Sequence, residues 1–137
     1  MKKLLFLLLS AVLFSSCDGN FSYQEDLTTK QIVNLKIYQN KWTLYSDGIN
    51  KYYSSYVRID ELTSTIYSHG GVIAYIDYDD HQQVLPYVRH HGDAKGNLWT
   101  TTIDYEVEKG GMTFYVTNSD FVAEAPETMY IKVVLFW

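Results

Sequence analysis

Beyond residue 30 the chain alternates. Val33, Leu35 and Ile37 are apolar where Asn34, Lys36 and Tyr38 are polar or amphipathic, and a period of two marks a strand with one buried face. Trp42-Thr43-Leu44-Tyr45 follows, and Ser46-Asp47-Gly48-Ile49-Asn50 reads as a turn, because Asp, Asn and Gly supply the backbone shapes that turns need. Residues 52–59 predict a third strand, with Tyr53, Ser55, Val57 and Ile59 on one side and Tyr52, Ser54, Tyr56 and Arg58 on the other. Only residues 60–70 look helical. Asp60 is placed to cap a helix, Leu62 and Ile66 are four apart, and Gly70 is placed to end it after one or two turns.

Residues 72–77 are an apolar strand, 79–82 a turn and 84–90 the returning strand. Pro86 inside that strand has no N–H to give a ladder, which puts it on an edge or at a bulge. After a loop over residues 92–97, Trp99, Ile103, Tyr105 and Val107 alternate with Thr100, Thr102, Asp104 and Glu106, so one face is core and the other wet. Lys109-Gly110-Gly111 turns this strand into Met112, Phe114 and Val116, its hairpin partner. Residues 128–137 are apolar on both faces except for Lys132, which predicts a central strand with a packed end. The total is seven to eight strands and one short helix. Short connections make the pairing mostly antiparallel. The architecture is therefore all-β: an antiparallel β-sandwich, loosely immunoglobulin-like, with a small closed barrel as the alternative. Trp42, Trp99, Tyr105, Phe114 and Trp137 are the core candidates, since each large aromatic can bury ~150–250 Å².

The first residues differ in kind. Met1-Lys2-Lys3 is positive, residues 4–14 are apolar but for Ser10, and Ser15-Ser16-Cys17 closes the segment. Eleven residues at ~1.5 Å rise reach about half-way across a ~30 Å hydrocarbon core, so the pattern is that of a secretory signal peptide rather than a membrane span. The segment resembles the signal of bacterial lipoproteins, which places a cysteine at this position after small residues. Phe14 stands where an aliphatic residue is usual, with Leu13 one place earlier. The resemblance implies that Cys17 becomes the acylated N-terminal residue and attaches the protein to a membrane. One acyl chain holds only marginally, whereas two or three anchor stably. The division that follows is a signal over residues 1–17, a polar tether over 18–31 and a sandwich domain over 32–137. The expected address is the cell envelope, at the outer membrane. Asp18 signals inner-membrane retention under one sorting rule, whereas in other bacterial groups acidic residues near the cysteine, such as Glu25 and Asp26, accompany export to the surface.

Charge narrows the partners. The 137-residue chain has 11 basic and 16 acidic residues. Without the first sixteen residues it keeps nine basic residues and all the acids, for a net −7. Nucleic acid and anionic membranes reward clustered Lys and Arg, so neither is an expected partner of the domain. Cys17 is the only cysteine, so no intramolecular disulfide can staple the sheets.

Trp42-Thr43-Leu44, Leu85-Pro86-Tyr87, Leu98-Trp99-Thr100 and Phe114-Tyr115-Val116 followed by Ser119-Asp120-Phe121 resemble recurrent pieces of one group of small lipoproteins from Gram-negative anaerobes. The likeness covers almost the whole chain. Some members carry a Gly-Pro-rich stretch after the cysteine, where this chain has Asp18-Gly19-Asn20. The group has no assigned activity, so the resemblance implies a fold and an address and carries over no catalytic residue.

Candidate chemistry is sparse. Asp77, Asp79 and Asp80 could offer calcium two or three carboxylates from one turn, but the glycine and distal glutamate of an EF-hand are missing. His90 and His91 are adjacent, and neighbours on a strand point to opposite faces, which sets them apart as zinc ligands. No serine has the glycines of a nucleophile elbow, and Gly70-Gly71 is a bare pair rather than a phosphate loop. Neither an enzyme nor a cofactor is expected. Tyrosine is the informative excess, 13 in 137 residues. Tyr52, Tyr56 and Arg58 share a strand face and are the ligand-binding candidates, because flat aromatic and guanidinium groups stack on sugars or anchor a protein. The expected role is a non-enzymatic module for a glycan or protein, with a structural or assembly subunit as the alternative.

Overall fold

In a computed structural model the described residues are 28–137; the signal segment, Cys17 and most of the expected tether lie outside them. The alternation forms nine strands: β1 (Lys30–Ile37), β2 (Thr43–Ser46), β3 (Lys51–Arg58), β4 (Gly71–Asp77), β5 (Gln82–Val84), β6 (Tyr87–Gly92), β7 (Leu98–Glu108), β8 (Gly111–Asn118) and β9 (Met129–Phe136). They make a four-stranded sheet in the order β1-β9-β4-β5 and a five-stranded sheet in the order β2-β3-β8-β7-β6. Every pairing is antiparallel. Each sheet keeps two edges, so the sandwich is formed and not the closed barrel. The likeness to immunoglobulin domains is one of architecture, two packed antiparallel sheets.

The core lies between the sheets. Ile131, Val133 and Leu135 of β9 face Met112, Phe114 and Val116 of β8 in one buried cluster. Strand β9 is central, as its two apolar faces require, and Phe114 is the largest fully buried side chain. Trp42 is buried as expected, with its indole N–H lacking a hydrogen-bond partner. Trp137 is not core: the residue is 40 % exposed. Its backbone is nonetheless fixed, because Thr29 and Trp137 exchange two N–H···O bonds of 2.9 and 3.0 Å. Pairing thus begins inside the last residues assigned to the tether.

Three local readings are corrected. The helix α1 (Ser64–His69) is capped by Thr63, whose Oγ1 accepts from the Ile66 N–H, whereas Asp60 accepts from Arg58 Nε. Residues 84–90 are not one strand. β5 belongs to the four-stranded sheet and β6 to the five-stranded one, and the chain changes sheets at Leu85-Pro86, where proline has no N–H to offer either ladder. In the β7–β8 hairpin the loop is Lys109-Gly110 alone. Gly111 already pairs with Glu108, and Gly110 takes φ +82°, which glycine adopts at little cost.

These connections give the sandwich two distinct ends. At one lie α1, the β7–β8 hairpin, Thr29 and Trp137; Tyr105 Oη there reaches the Val72 carbonyl across the sheets. At the other lie the β2–β3 hairpin, the β4–β5 turn, the β6–β7 loop and the 119–128 connection. A strand of eight residues at ~3.3 Å per residue separates them by roughly 25 Å.

Candidate functional site

Tyr52, Tyr56 and Arg58 share the outer face of β3, and each also has a partner within the protein. Tyr52 stacks on its cross-strand partner Tyr45, centroids 4.7 Å apart, and meets Tyr115 edge-on at 5.7 Å. The Tyr56 ring covers Gly111, where an added Cβ would fall 2.4 Å from the tyrosine hydroxyl. Arg58 is drawn to Asp60, with Nε 2.6 Å from Oδ1, and that hydrogen bond raises the guanidinium pKa further. Cross-strand pairs of this kind stabilise a sheet, so the tyrosine excess is spent partly on lateral packing.

Beside the tyrosines runs an acidic column, Asp104, Glu106 and Glu108 of β7. Tyr115 donates to Glu106 Oε2 at 2.8 Å and Thr113 donates to Glu108 Oε1 at 2.6 Å. Burial, then the Glu106 charge, raises the Asp104 pKa. The hydrogen bond to Glu106 pushes the Tyr115 phenol up to about 12. The three carboxylates stand side by side on the outer face of β7.

The turn candidates divide among local partners. Asp77 accepts from Gln82 Nε2 at 2.9 Å, and Asp80 holds His81, whose ring stacks on Tyr78. The His81 hydrogen bond lowers the Asp80 pKa. No group of three or more His, Cys, Asp or Glu comes together for a metal among the described residues. His90 is exposed, while His91 lies on the inner face against Trp99, so the two imidazoles point apart.

The site that sequence reasoning missed is a groove at the end away from Thr29 and Trp137. Strand β7 is eleven residues long, against eight for β9, and its first residues overhang the facing sheet. The 119–128 connection forms the wall opposite them. A lobe of about 550 Å³ is lined by Trp99, Asn118, Asp120 and Glu124 with the β6–β7 loop. A second lobe of about 260 Å³ shares Trp99, Asn118 and Glu124 and adds Thr101 and Glu127. The shared residues make the two lobes one trough. Trp99 is half-buried rather than core. His91 stacks on it at 5.2 Å and 14°, which closes one ring face and steadies the indole.

The walls are held from within. Asp93 accepts from the N–H groups of Lys95 and Asn97 and from Asn97 Nδ2, at 2.7–2.9 Å, and these bonds, that of the Asn97 side chain first, lower its pKa. Thr101 Oγ1 donates to Asn118 Oδ1 at 2.7 Å, so the amide Nδ2 stays available as a donor. Asp120 Oδ1 accepts from Val122 N–H. Leu98 and Val122, which line the first lobe, are exposed, Leu98 by more than 80 %. No family model, curated protein or solved structure matches the chain.

Proposed function

We propose that the chain is a lipid-anchored protein of the cell envelope, attached through acylated Cys17 at the outer membrane, whose sandwich is a non-enzymatic module for a glycan or protein partner. One observation carries the reading. The groove beside Trp99 opens at the end of the sandwich opposite Thr29, and Thr29 follows the tether that leads from Cys17 in the sequence. A module reached from that side carries its groove at the far end, roughly 25 Å from Thr29. The acidic column on the outer face argues against polyanionic partners, nucleic acid included. The group of small lipoproteins that the sequence resembles is consistent with this address.

The anchor is tested by labelling cells with a palmitate analogue. The wild-type chain takes up label and sediments with membranes, and Cys17→Ala does neither. An unlabelled wild-type chain refutes the anchor. Protease shaving of intact cells then fixes the face. Cleavage with the cells sealed places the domain outside, and protection until the outer membrane is opened places it in the periplasm.

A second reading, an assembly subunit, rests on β1. Among the described residues this eight-residue strand pairs only with β9, and its other edge can accept a strand from another chain. Lys30 and Lys36 sit at its two ends, and lysines on an edge oppose such pairing. Growth of the sedimentation coefficient with concentration supports this reading, and a constant monomer value refutes it.

A further inference from the structure

We infer that the Trp99 trough is a subsite for an uncharged glycan, and that it, not the tyrosine face of β3, carries ligand recognition. The inference rests on the binding-module reading above and names its ligand class. Three features of the trough lead to it. Trp99 offers a flat apolar surface, with its other side closed by His91, and the C–H face of a sugar ring packs on such a surface. Around it stand short polar groups: the Asn118 amide, the Thr101 hydroxyl and the carboxylates of Asp120 and Glu124. Amide donors beside carboxylate acceptors match vicinal hydroxyls, which both give and take hydrogen bonds.

The third feature is charge. No lysine or arginine lines either lobe among the described residues, while Asp93, Asp120, Glu124 and Glu127 do. A uronate or sulfated chain would meet these carboxylates with no lysine or arginine among the lining residues. The trough is also long, because two lobes meet at Trp99, and this suits several sugar units of a chain better than one monosaccharide. A basic peptide is the competing occupant. Against it, the Asp93 carboxylate is already filled by three donors from its own loop, and one Asp120 oxygen by a backbone N–H. That leaves less free carboxylate than a run of lysines needs, while hydroxyls ask only for hydrogen-bond partners.

The test is native affinity electrophoresis of the full chain in mild detergent, through gels containing galactomannan, mixed-linkage β-glucan or arabinoxylan. Polygalacturonate gels and fluorescent decalysine are the comparison arms. At least one neutral polysaccharide retards the wild-type chain. Trp99→Ala loses at least tenfold in apparent affinity, Glu124→Ala loses severalfold, and Tyr56→Ala is unchanged. Glu124 lies in an exposed connection, so its variant reports on the trough even if Trp99→Ala is poorly folded, which a thermal melt reveals. Absence of retardation by all three neutral polymers overturns the inference, as does undiminished binding by both trough variants or stronger binding to polygalacturonate. Decalysine binding that Glu124→Ala abolishes, without any polysaccharide binding, overturns the glycan and leaves the module standing. No binding in any arm removes the trough as a site altogether.

Discussion

Gly70 is where the fold has least room, and Gly70→Ala tests that directly. A Cβ built there falls 2.3 Å from the Phe136 carbonyl oxygen and 3.0 Å from that of Ile66. The first contact is about 1 Å short of an ordinary carbon–oxygen approach. Both partners are backbone, so no rotamer change relieves it. Phe136 cannot retreat cheaply, because β9 is pinned on both sides by the Lys30–Phe136 and Gly71–Phe136 pairings. Gly70 cannot retreat either, since its N–H closes α1 on the Ile66 carbonyl at 2.9 Å. The residue has φ −102°, which any amino acid adopts, so the whole effect is steric. Overpacking costs about 1–3 kcal/mol, and loosening one flanking hydrogen bond adds about 1 kcal/mol. Against these, alanine lowers the entropy of the unfolded chain and returns about 0.4–1 kcal/mol. The expected net loss is about 2–3 kcal/mol, a fall in Tm of roughly 10 °C for a domain of this size. Urea denaturation followed by tryptophan fluorescence measures it, with an unchanged m-value showing that the same cooperative unit unfolds. A variant as stable as wild type refutes the close approach of α1 to β9.

Other expectations concern the turn, the core and the titrating groups. Gly110→Ala meets no atom within 4 Å but must hold φ +82°, so a loss of about 1–2 kcal/mol in chemical denaturation is expected from backbone strain alone. Phe114→Ala empties the centre of the core and is expected to lose about 3–5 kcal/mol. Trp42→Phe is expected to lose less than about 1.5 kcal/mol, because a buried indole N–H without a partner already costs about 1–3 kcal/mol; a loss above that in the same assay means the N–H is satisfied. Asp104 has a raised pKa in the fold, so the folded state holds its proton more tightly and stability falls as pH rises past the ordinary carboxylate range. Asp104→Asn is therefore expected to remove a decline in wild-type stability that sets in as pH rises through the ordinary carboxylate range, and an unaltered profile refutes the burial argument. Tyr115 gives the same sign higher up: the fold is expected to lose stability between about pH 10 and 12, and Tyr115→Phe to remove that loss.

Legibility in the sequence followed periodicity. Where one face of a strand is dry and the other wet, as in β8, alternation named the buried residues, and β9, apolar on both faces, was legible as a central strand. The pattern named Thr29–Trp137 pairing only as a packed end, because register is set by partners far away in the chain. The chain's change of sheet at Leu85-Pro86 was hidden for a similar reason: the apolar pattern runs straight through it, and only the lack of a proline N–H hints at a break. Asp60 looked like a cap because it precedes an apolar pair, but Thr63 stands one residue before the first helical turn and takes the role. The tyrosine face was placed correctly, yet its use was not legible, since stacking among Tyr45, Tyr52 and Tyr115 depends on three strands meeting.

The trough shows why a site can lie within the best-read strand and still be missed. Alternation reports which face of a strand points inward, and Trp99 shares that face with Ile103, Tyr105 and Val107. It does not report whether another sheet lies opposite. From Ile103 onward the inward residues Ile103, Tyr105 and Val107 pack on the core, Ile103 fully and the other two in part. Before Ile103 the facing sheet has ended and the 119–128 connection has begun, so the same face carries Trp99, then Thr101. Thr101 and its β8 partner Asn118 are the signal that was available. Two polar residues on an otherwise apolar inward face mark where the core gives way to a half-wet surface. A large aromatic one step further out then belongs to the groove, and the strand-length difference that exposes it is a property of the pairing, not of either strand.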